Sequence, residues 1–209
     1  MALQSILIFA QNDSINTKTN QYKDPFYDYM KTIKIRAGAG IFIPSTQAKN
    51  YLGNSPLFEI NAEFPLKKRK SIELAAQIII PNQQQNFVYI RTIDTIQAKA
   101  TVIGNFMLRY KKSLIGNSKS DLKISLGFGA SSLITDARNP YYSGKKEEQK
   151  YEIVNALLLQ PGISYERKFG ENTQLLLAFD LQYSPYKMEG ALREDIGSIY
   201  YVPRLMFTF

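Results

Sequence analysis

Three residue types are missing from this sequence. Its 209 residues include no cysteine, no histidine and no tryptophan. Without cysteine the chain can form no disulfide bond and no thiolate metal site, and it has no thiol nucleophile. Without histidine it lacks the commonest general base and metal ligand, and a Ser-His-Asp triad is impossible. These absences argue against an enzyme, and we expect no catalytic site, no metal and no other cofactor.

A long hydrophobic run is also missing. No stretch approaches the roughly 18 to 20 apolar residues that a membrane-spanning helix needs. A shorter apolar run covers residues 2–10, and polar residues follow it at once. We interpret residues 1–10 as the remnant of a secretory signal peptide cleaved after Ala10, with a short buried strand or helix as the alternative. Residues 11–31 are rich in Asn, Lys, Gln and Asp, which predicts a polar N-terminal linker.

Positive charge, in contrast, is in excess. Lysine and arginine total 26 against 18 aspartates and glutamates, a net charge of +8. Such a balance keeps nucleic acid and anionic lipid among the candidate partners. The densest basic run is KKRK at 67–70. We expect this run to be a solvated turn that contacts lipid headgroups, and we expect no nucleic-acid partner.

From residue 32 onward, apolar and polar residues alternate with period two, which predicts β-strands. Pro161 and Pro203 fall inside two of these segments, where each removes a ladder hydrogen bond. We predict a β-bulge at each proline, or a later start for the strand that contains Pro161. The eight predicted strands cover 32–44, 57–66, 71–80, 96–110, 122–131, 156–166, 174–183 and 199–209.

The connections between these segments are of two kinds. Those after the second, fourth and sixth strands are mostly short, whereas the others run to roughly a dozen residues or more, beyond the usual hairpin length. Eight strands joined in sequence predict an antiparallel meander. Short turns at one end and long loops at the other are typical of a barrel that spans a bilayer.

One face of every predicted strand carries no charge. Its only clear polar residues are Ser132 and Asn155, which continue this face next to strands 122–131 and 156–166. Two architectures fit: a soluble lipocalin-like barrel with the apolar face around a ligand, or an outer-membrane barrel with that face toward lipid. Strand length and aromatic residues near the strand ends favour the membrane barrel. The opposite faces carry Lys34, Arg36, Lys99, Arg109, Lys123, Arg204, Glu59, Glu63, Glu73, Glu166 and Asp180.

The sequence ends in IYYVPRLMFTF. Residues 32–209 resemble the small outer-membrane barrels of the OmpA and OmpX type from Gram-negative bacteria, whose last strand ends in Phe and is read by the barrel-assembly machinery. Tyr201, Leu205, Phe207 and Phe209 match that pattern, and Pro203 departs from it. The Ala10–Gln11 junction and a composition rich in Asn, Lys and Ile resemble secreted proteins of the Bacteroidetes.

The resemblance implies an all-β fold, an eight-stranded antiparallel up-and-down transmembrane β-barrel over residues 32–209. It also implies residence in the outer membrane of a Gram-negative bacterium, in contact with lipid and lipopolysaccharide. We expect a structural, adhesive or accessory-subunit role, with a protein partner bound through the extracellular loops. The alternative is a secreted lipocalin-like barrel that carries an apolar ligand.

The interior of an eight-stranded barrel is just wide enough for side chains to fill it. Buried charges must therefore be paired. Pairing about the KKRK turn would bring Glu63 opposite Glu73, so a cation must lie between them. Arg36 and Arg204 lie on the first and last strands, at a depth in the lumen that suits contact with these two carboxylates. We predict a lumenal cluster of Arg36, Arg204, Glu63 and Glu73 that holds the barrel shut, with a proton or ion path as the alternative.

Overall fold

The structure is a computed structural model that describes residues 25–45, 47–90, 93–145, 149–169, 173–186 and 198–208. The chain divides into two units, residues 1–31 and residues 32–209. The predicted signal-peptide remnant and most of the predicted linker lie outside the described residues, and both stay predictions. In the first unit, Pro25–Met30 forms helix α1, whose residues are all exposed.

The second unit contains one short helix and many strands in its described part. No helix among the described residues is long and apolar enough to cross a membrane. The elements are β1 (Lys34–Pro44), α2 (Ala48–Tyr51), β2 (Leu52–Gly53), β3 (Ser55–Leu66), β4 (Lys70–Ile79), β5 (Asn82–Gln83), β6 (Phe87–Ile90), β7 (Thr95–Ala98), β8 (Ala100–Gly116), β9 (Ser120–Arg138), β10 (Tyr151–Lys168), β11 (Gln174–Tyr183) and β12 (Ile199–Thr208).

Eight of these strands form a closed barrel in the order β1, β12, β11, β10, β9, β8, β4, β3, with β3 pairing back onto β1. Every pairing is antiparallel. The predicted fold, an eight-stranded antiparallel up-and-down barrel, is confirmed. We call the end with the turns after β3, β8 and β10 the short-turn end, and the opposite end the loop end.

The fourth predicted strand is interrupted. Residues 95–98 form β7, which pairs with β6 in a separate hairpin, and the barrel strand β8 begins only at Ala100. Between them the Lys99 backbone N–H donates a 2.7 Å hydrogen bond to the Asp136 carboxylate instead of joining the ladder. Alternation along the sequence predicts Ala98 and Ala100 on the outward apolar face. Both residues are buried, so this prediction was wrong.

The connection between β8 and β9 is shorter than the sequence predicts. The strands extend to Gly116 and from Ser120, so only residues 117–119 remain in the turn. The Asn117 side-chain oxygen accepts hydrogen bonds from the backbone N–H groups of Lys119 (2.9 Å) and Ser120 (2.8 Å). The side chain of Asn117 thus fixes the turn, and β8 extends beyond β4, whose first residue Lys70 pairs with Lys112.

Neither proline lies in a bulge, so that prediction was wrong. Pro203 stands opposite Phe179 in an unbroken register, and Pro161 stands opposite Leu126 in the same way. On the other side of Pro203, the β1–β12 ladder leaves out two pairs but resumes in the same register, with Gly40 opposite Arg204 and Ile43 opposite Tyr201. The missing N–H therefore opens a local gap in one ladder, and no extra residue is inserted.

Candidate functional site

The interior of the barrel is charged, although most of it is closed to water. Alternation along each strand turns every second side chain inward, and ten of the buried inward side chains carry a charge. They include equal numbers of cations and anions, which is what a buried ionic network requires. The buried cations are Arg36, Arg109, Lys111, Lys123 and Arg204, and the buried anions are Glu59, Glu63, Glu73, Glu166 and Asp180.

The first layer of the network lies near the short-turn end. Arg36 donates through Nη1 to Glu63 Oε2 (2.5 Å) and through Nη2 to Glu166 Oε2 (3.1 Å). Lys123 bridges the same two carboxylates at 2.8 Å and 3.0 Å. The half-buried Lys34 also binds Glu166. These contacts tie β1, β3, β9 and β10 together across the lumen.

Glu63 and Glu73 stand directly opposite each other in the β3–β4 ladder, as the sequence predicts. Two buried carboxylates at such a position repel unless cations separate them. Lys111 binds Glu73 and lies 3.6 Å from Glu63, while Arg36 Nη1 lies 3.5 Å from Glu73 Oε2. Our interpretation of the sequence assigned no role to Lys111, although continuing the inward alternation past Arg109 would have indicated it.

Arg204 lies apart from the other three residues of the predicted cluster. It binds Glu59 and Asp180 in a second layer nearer the loop end. The register explains the difference, because Arg36 pairs with Thr208 whereas Arg204 pairs with Gly40. Four residues along a strand correspond to roughly 13 Å. The structure thus brings Arg36, Glu63 and Glu73 together and gives Arg204 different partners.

Uncharged polar side chains form the next layer. Asn105 donates to Gln77 (2.8 Å) and Gln182 (3.2 Å), and Ser131 donates to Asn105 (2.5 Å). Ser131 and the Tyr186 hydroxyl lie 2.6 Å apart. Burial raises the pKa of the Tyr186 hydroxyl, so this group stays neutral and remains able to donate a hydrogen bond.

Apolar side chains fill the interior at the loop end. The rings of Phe42 and Tyr200 stack with centroids 4.3 Å apart, and both side chains are fully buried. The loops contribute Leu52, and the hairpin β6–β7 contributes Phe87. Sequence analysis missed β6, which has only four residues. Together with the ionic layers, this apolar plug leaves the lumen filled over the described strands.

The outside of the barrel is apolar around its whole circumference. Phe106 is 59% exposed and Phe128 is 58% exposed, although aromatic residues normally avoid water. Among the outward residues of the described strands, Ser132 and Asn155 form a polar pair, with a hydrogen bond of 2.7 Å between their side chains. The outer belt consists of Ile35, Ile41, Phe58, Ile60, Leu74, Ile78, Phe106, Leu108, Leu126, Phe128, Leu157, Ile163, Leu177, Phe179, Leu205 and Phe207.

Tyrosines lie at both edges of the outer belt. Tyr110 and Tyr165 project at the short-turn edge, and Tyr183 and Tyr201 project at the loop edge. In the predicted assembly signal, the side chains of Tyr201, Leu205 and Phe207 all point outward from β12. Phe209, the fourth residue of that signal, lies outside the described residues.

Comparison with known sequences gave no match, either to a protein-family model or to a curated protein. Comparison with solved structures did give matches. The barrel resembles Neisserial surface protein A (NspA), with a TM-score of 0.59 and 8% sequence identity over 84% of this chain and 95% of that one. At this identity the likeness concerns the fold alone.

Two further structures match with lower scores. The N-terminal β-barrel domain of Pseudomonas aeruginosa OprF gives a TM-score of 0.44 at 11% identity, covering 85% of this chain and 97% of that one. Ail, the attachment invasion locus protein of Yersinia pestis, gives 0.45 at 11% identity, covering 84% and 94%. The closed order of strands and the likeness to NspA define the class: this chain has the fold of the small eight-stranded outer-membrane barrels.

Proposed function

We propose that this protein is an integral outer-membrane barrel with a structural, adhesive or accessory-subunit role. The outer belt carries the proposal. A water-soluble protein rarely exposes a contiguous apolar patch of more than a few hundred Å², whereas a membrane barrel exposes an apolar band about 25 Å tall between girdles of aromatic residues. The outward residues of β10 from Leu157 to Tyr165 span nine positions, within the nine to eleven that a tilted transmembrane strand needs.

The filled lumen supports an anchoring role over transport. Among the described lumenal side chains, charged groups bind one another in the half near the short-turn end, and apolar groups pack together in the half near the loop end. A diffusion channel would need a continuous water-filled path between these ends. We therefore assign recognition to the loops, where Tyr141 is 70% exposed and suits contact with a protein partner or with lipopolysaccharide sugars.

The lipocalin-like alternative requires the opposite orientation of the two faces. A soluble carrier would turn its apolar face toward a central ligand and its charged face toward water. Here Phe58 and Ile60 point outward while Arg36 and Glu73 are fully buried inside. The same interior disfavours catalysis, because its carboxylates already bind arginine and lysine side chains and the sequence supplies no histidine base.

Biogenesis follows from the same proposal. The barrel would be delivered to the barrel-assembly machinery of a Gram-negative bacterium, which would read Tyr201, Leu205, Phe207 and Phe209. Lipid and lipopolysaccharide would then surround the outer belt. The outward position of the three described residues, which are 39% to 45% exposed, supports this role.

Detergent phase partitioning tests the proposal. Membrane fractions would be extracted with a detergent that separates into two phases on warming, and the protein is expected in the detergent-rich phase. An unboiled sample should also migrate differently from a boiled sample on a denaturing gel, because the closed barrel resists the detergent until it is heated. Recovery in the aqueous phase without detergent would contradict the proposal and favour the soluble carrier.

A further inference from the structure

Exposed cations gather at the short-turn end of the barrel. Lys34 and Lys123 at this end are tied into the interior network, but a second group of cations points away from it. In the described parts of the three short turns and the adjoining strand ends, Asp121 is the one acidic residue besides the buried carboxylates, and it lies 3.9 Å from both Lys123 Nζ and Arg69 Nη2. We call this group the basic rim: Lys67, Lys68, Arg69, Lys70, Lys112, Lys119, Arg167 and Lys168.

Two members of the basic rim face each other directly. Lys70 and Lys112 are opposite residues in the β4–β8 ladder, on the outward face that carries Ile72 and Tyr110 in the preceding pair. Like charges at directly opposite positions destabilise a sheet. An anion between the two ammonium groups would remove that repulsion. The Lys70 Nζ also lies 6.0 Å from the centre of the Tyr110 ring. The two lysines therefore lie directly beyond the short-turn edge of the outer belt.

A groove lies farther around the same edge. It has a volume of about 640 Å³ and is lined by Lys119, Tyr165, Arg167, Lys168 and Phe169 together with two serines. Arg167 follows Tyr165 on the outward face, as Lys112 follows Tyr110, and the Arg167 guanidinium lies 5.5 Å from the Phe169 ring centre. The groove therefore combines three cations and two aromatic rings with no acidic side chain in its described lining.

The turn between β3 and β4 also carries cations at positions that do not favour them. Lys68 and Arg69 both have positive φ angles, of 60° and 59°. Consecutive left-handed residues in a tight hairpin turn are usually Asn or Gly, because a longer side chain adds strain there. Arg69 donates a 3.2 Å hydrogen bond to the Gly116 carbonyl of the next turn, whereas the exposed Lys68 adds its charge to the basic rim.

We propose that the basic rim binds the phosphate groups of anionic glycerophospholipids, one between Lys70 and Lys112 and one in the groove beside Arg167. This inference rests on the proposed membrane location. The position of the cations favours a lipid as the ligand. Lys112 and Arg167 follow Tyr110 and Tyr165 on the outward face, at the level where the headgroups of a bilayer meet water. Each such cation near an anionic membrane surface strengthens binding about fivefold.

The loop end differs in charge. Five described cations lie at this end together with three acidic residues: Lys49, Lys99, Arg138, Lys145 and Lys150 with Asp94, Asp136 and Glu152. Such a mixture attracts an anionic surface less than the basic rim does, where eight cations accompany Asp121. The asymmetry predicts that the two leaflets contact the barrel differently and that the anionic phospholipid associates with the short-turn end.

Lipid titration monitored by native mass spectrometry tests the inference. The purified full chain in a neutral detergent would be titrated with phosphatidylglycerol and, separately, with phosphatidylcholine of the same acyl chains. We expect the wild type to retain phosphatidylglycerol preferentially. In the double variant Lys70→Gln with Lys112→Gln, the apparent Kd for phosphatidylglycerol should rise roughly tenfold or more. The variant Lys70→Arg with Lys112→Arg, which keeps both charges, should bind like the wild type.

The matched control is Lys49→Gln with Lys99→Gln, which removes the same charge from exposed positions at the loop end and should leave the Kd unchanged. An equal loss in this control, or equal retention of both lipids by the wild type, would overturn the inference. Complete displacement of the lipid by inorganic phosphate or by an oligonucleotide at equal concentration would also overturn it. Heat-modifiable migration is recorded on every sample, so a chain that forms no barrel contradicts the proposed function, whereas a barrel without lipid preference contradicts only this inference.

Discussion

Arg109 holds Glu59 in a two-point ion pair at the centre of the barrel. The guanidinium Nη1 donates to Glu59 Oε1 at 2.7 Å, and Nη2 donates to Glu59 Oε2 at 2.9 Å. The same Nη1 donates to Glu73 at 2.6 Å, and Nε donates to Gln160 at 3.1 Å. All these groups are almost fully buried. Arg109 is thus the residue through which the two layers of the ionic network meet.

Replacement of Arg109 should therefore weaken the barrel strongly. Arg109→Met leaves the carboxylates of Glu59 and Glu73 buried with less compensation, and we expect a loss of about 3 to 5 kcal/mol in the free energy of unfolding. Urea unfolding in detergent micelles, followed by circular dichroism, measures the loss. Arg138→Met, at an exposed position near the loop end, is the control and should cost less than about 1 kcal/mol. Equal stability of the two variants would show that the network contributes nothing.

The carboxylates of Glu63 and Glu73 should matter for the same reason. The double variant Glu63→Gln with Glu73→Gln leaves Arg36, Lys111 and Lys123 in excess inside the lumen, and we expect a loss of about 3 kcal/mol or more. The temperature at which the band shifts on unboiled gels reports the change. Glu152→Gln, which alters a long 3.4 Å hydrogen bond from Tyr89, should shift this temperature little. An unchanged temperature in the double variant would contradict the structural role of the cluster.

Gly162 leaves the space that the Asp180 carboxylate occupies. A Cβ atom at residue 162 would overlap Asp180 Oδ1 and would lie 2.7 Å from Asp180 Cγ. Gly162→Ala must therefore displace the carboxylate that binds Arg204, and we expect a loss of about 1 to 3 kcal/mol. Gly104→Ala is the control, since its added Cβ meets nothing within 4 Å. That variant should be neutral or slightly stabilising. A larger loss of unfolding free energy in Gly104→Ala than in Gly162→Ala would contradict the close packing of Gly162 against Asp180.

A charge in the middle of the outer belt should oppose membrane insertion. Phe106→Arg places a guanidinium where we expect the centre of the bilayer, and the cost should be about 2 to 4 kcal/mol. Ile115→Arg, at a 73% exposed position beyond the belt, should cost about 1 kcal/mol or less. The folding yield into lipid vesicles at rising urea concentration compares them. If Phe106→Arg folded as well as Ile115→Arg, the belt would not face lipid.

The sequence could predict the barrel because its two faces differ so sharply in chemistry. A one-residue error in register would move Phe58 inside and Glu59 toward lipid, so the alternation specifies which side chains point inward. The position of Glu63 opposite Glu73 followed from the short turn between their strands. These features depend on residues that are close in the chain, so they can be predicted from the sequence alone.

The partners of Arg204 could not be predicted in the same way. Asp180 lies on the neighbouring strand β11, and Glu59 lies on β3 beyond β1. Both contacts depend on how far each strand is displaced along its neighbour when the barrel closes. The hairpin β6–β7 was missed for another reason, since its short strands belong to a loop and are stabilised by packing of Phe87 against the apolar plug. Alternation over a few residues cannot report such packing.

The seam between β1 and β12 determines the order in which the barrel can be made. Thr208 accepts a 3.2 Å hydrogen bond from Arg36 across a separation of 172 residues, whereas the other strand pairs of the barrel join consecutive barrel strands. Pairing β1 with β12 closes a loop that contains nearly all of residues 32–209. The entropic cost of closing this loop therefore falls in one late step of folding. Until that step β1 remains an open edge, a template for wrong pairing that must be protected. The barrel can close only after its last strand has been synthesised, so folding must follow translation.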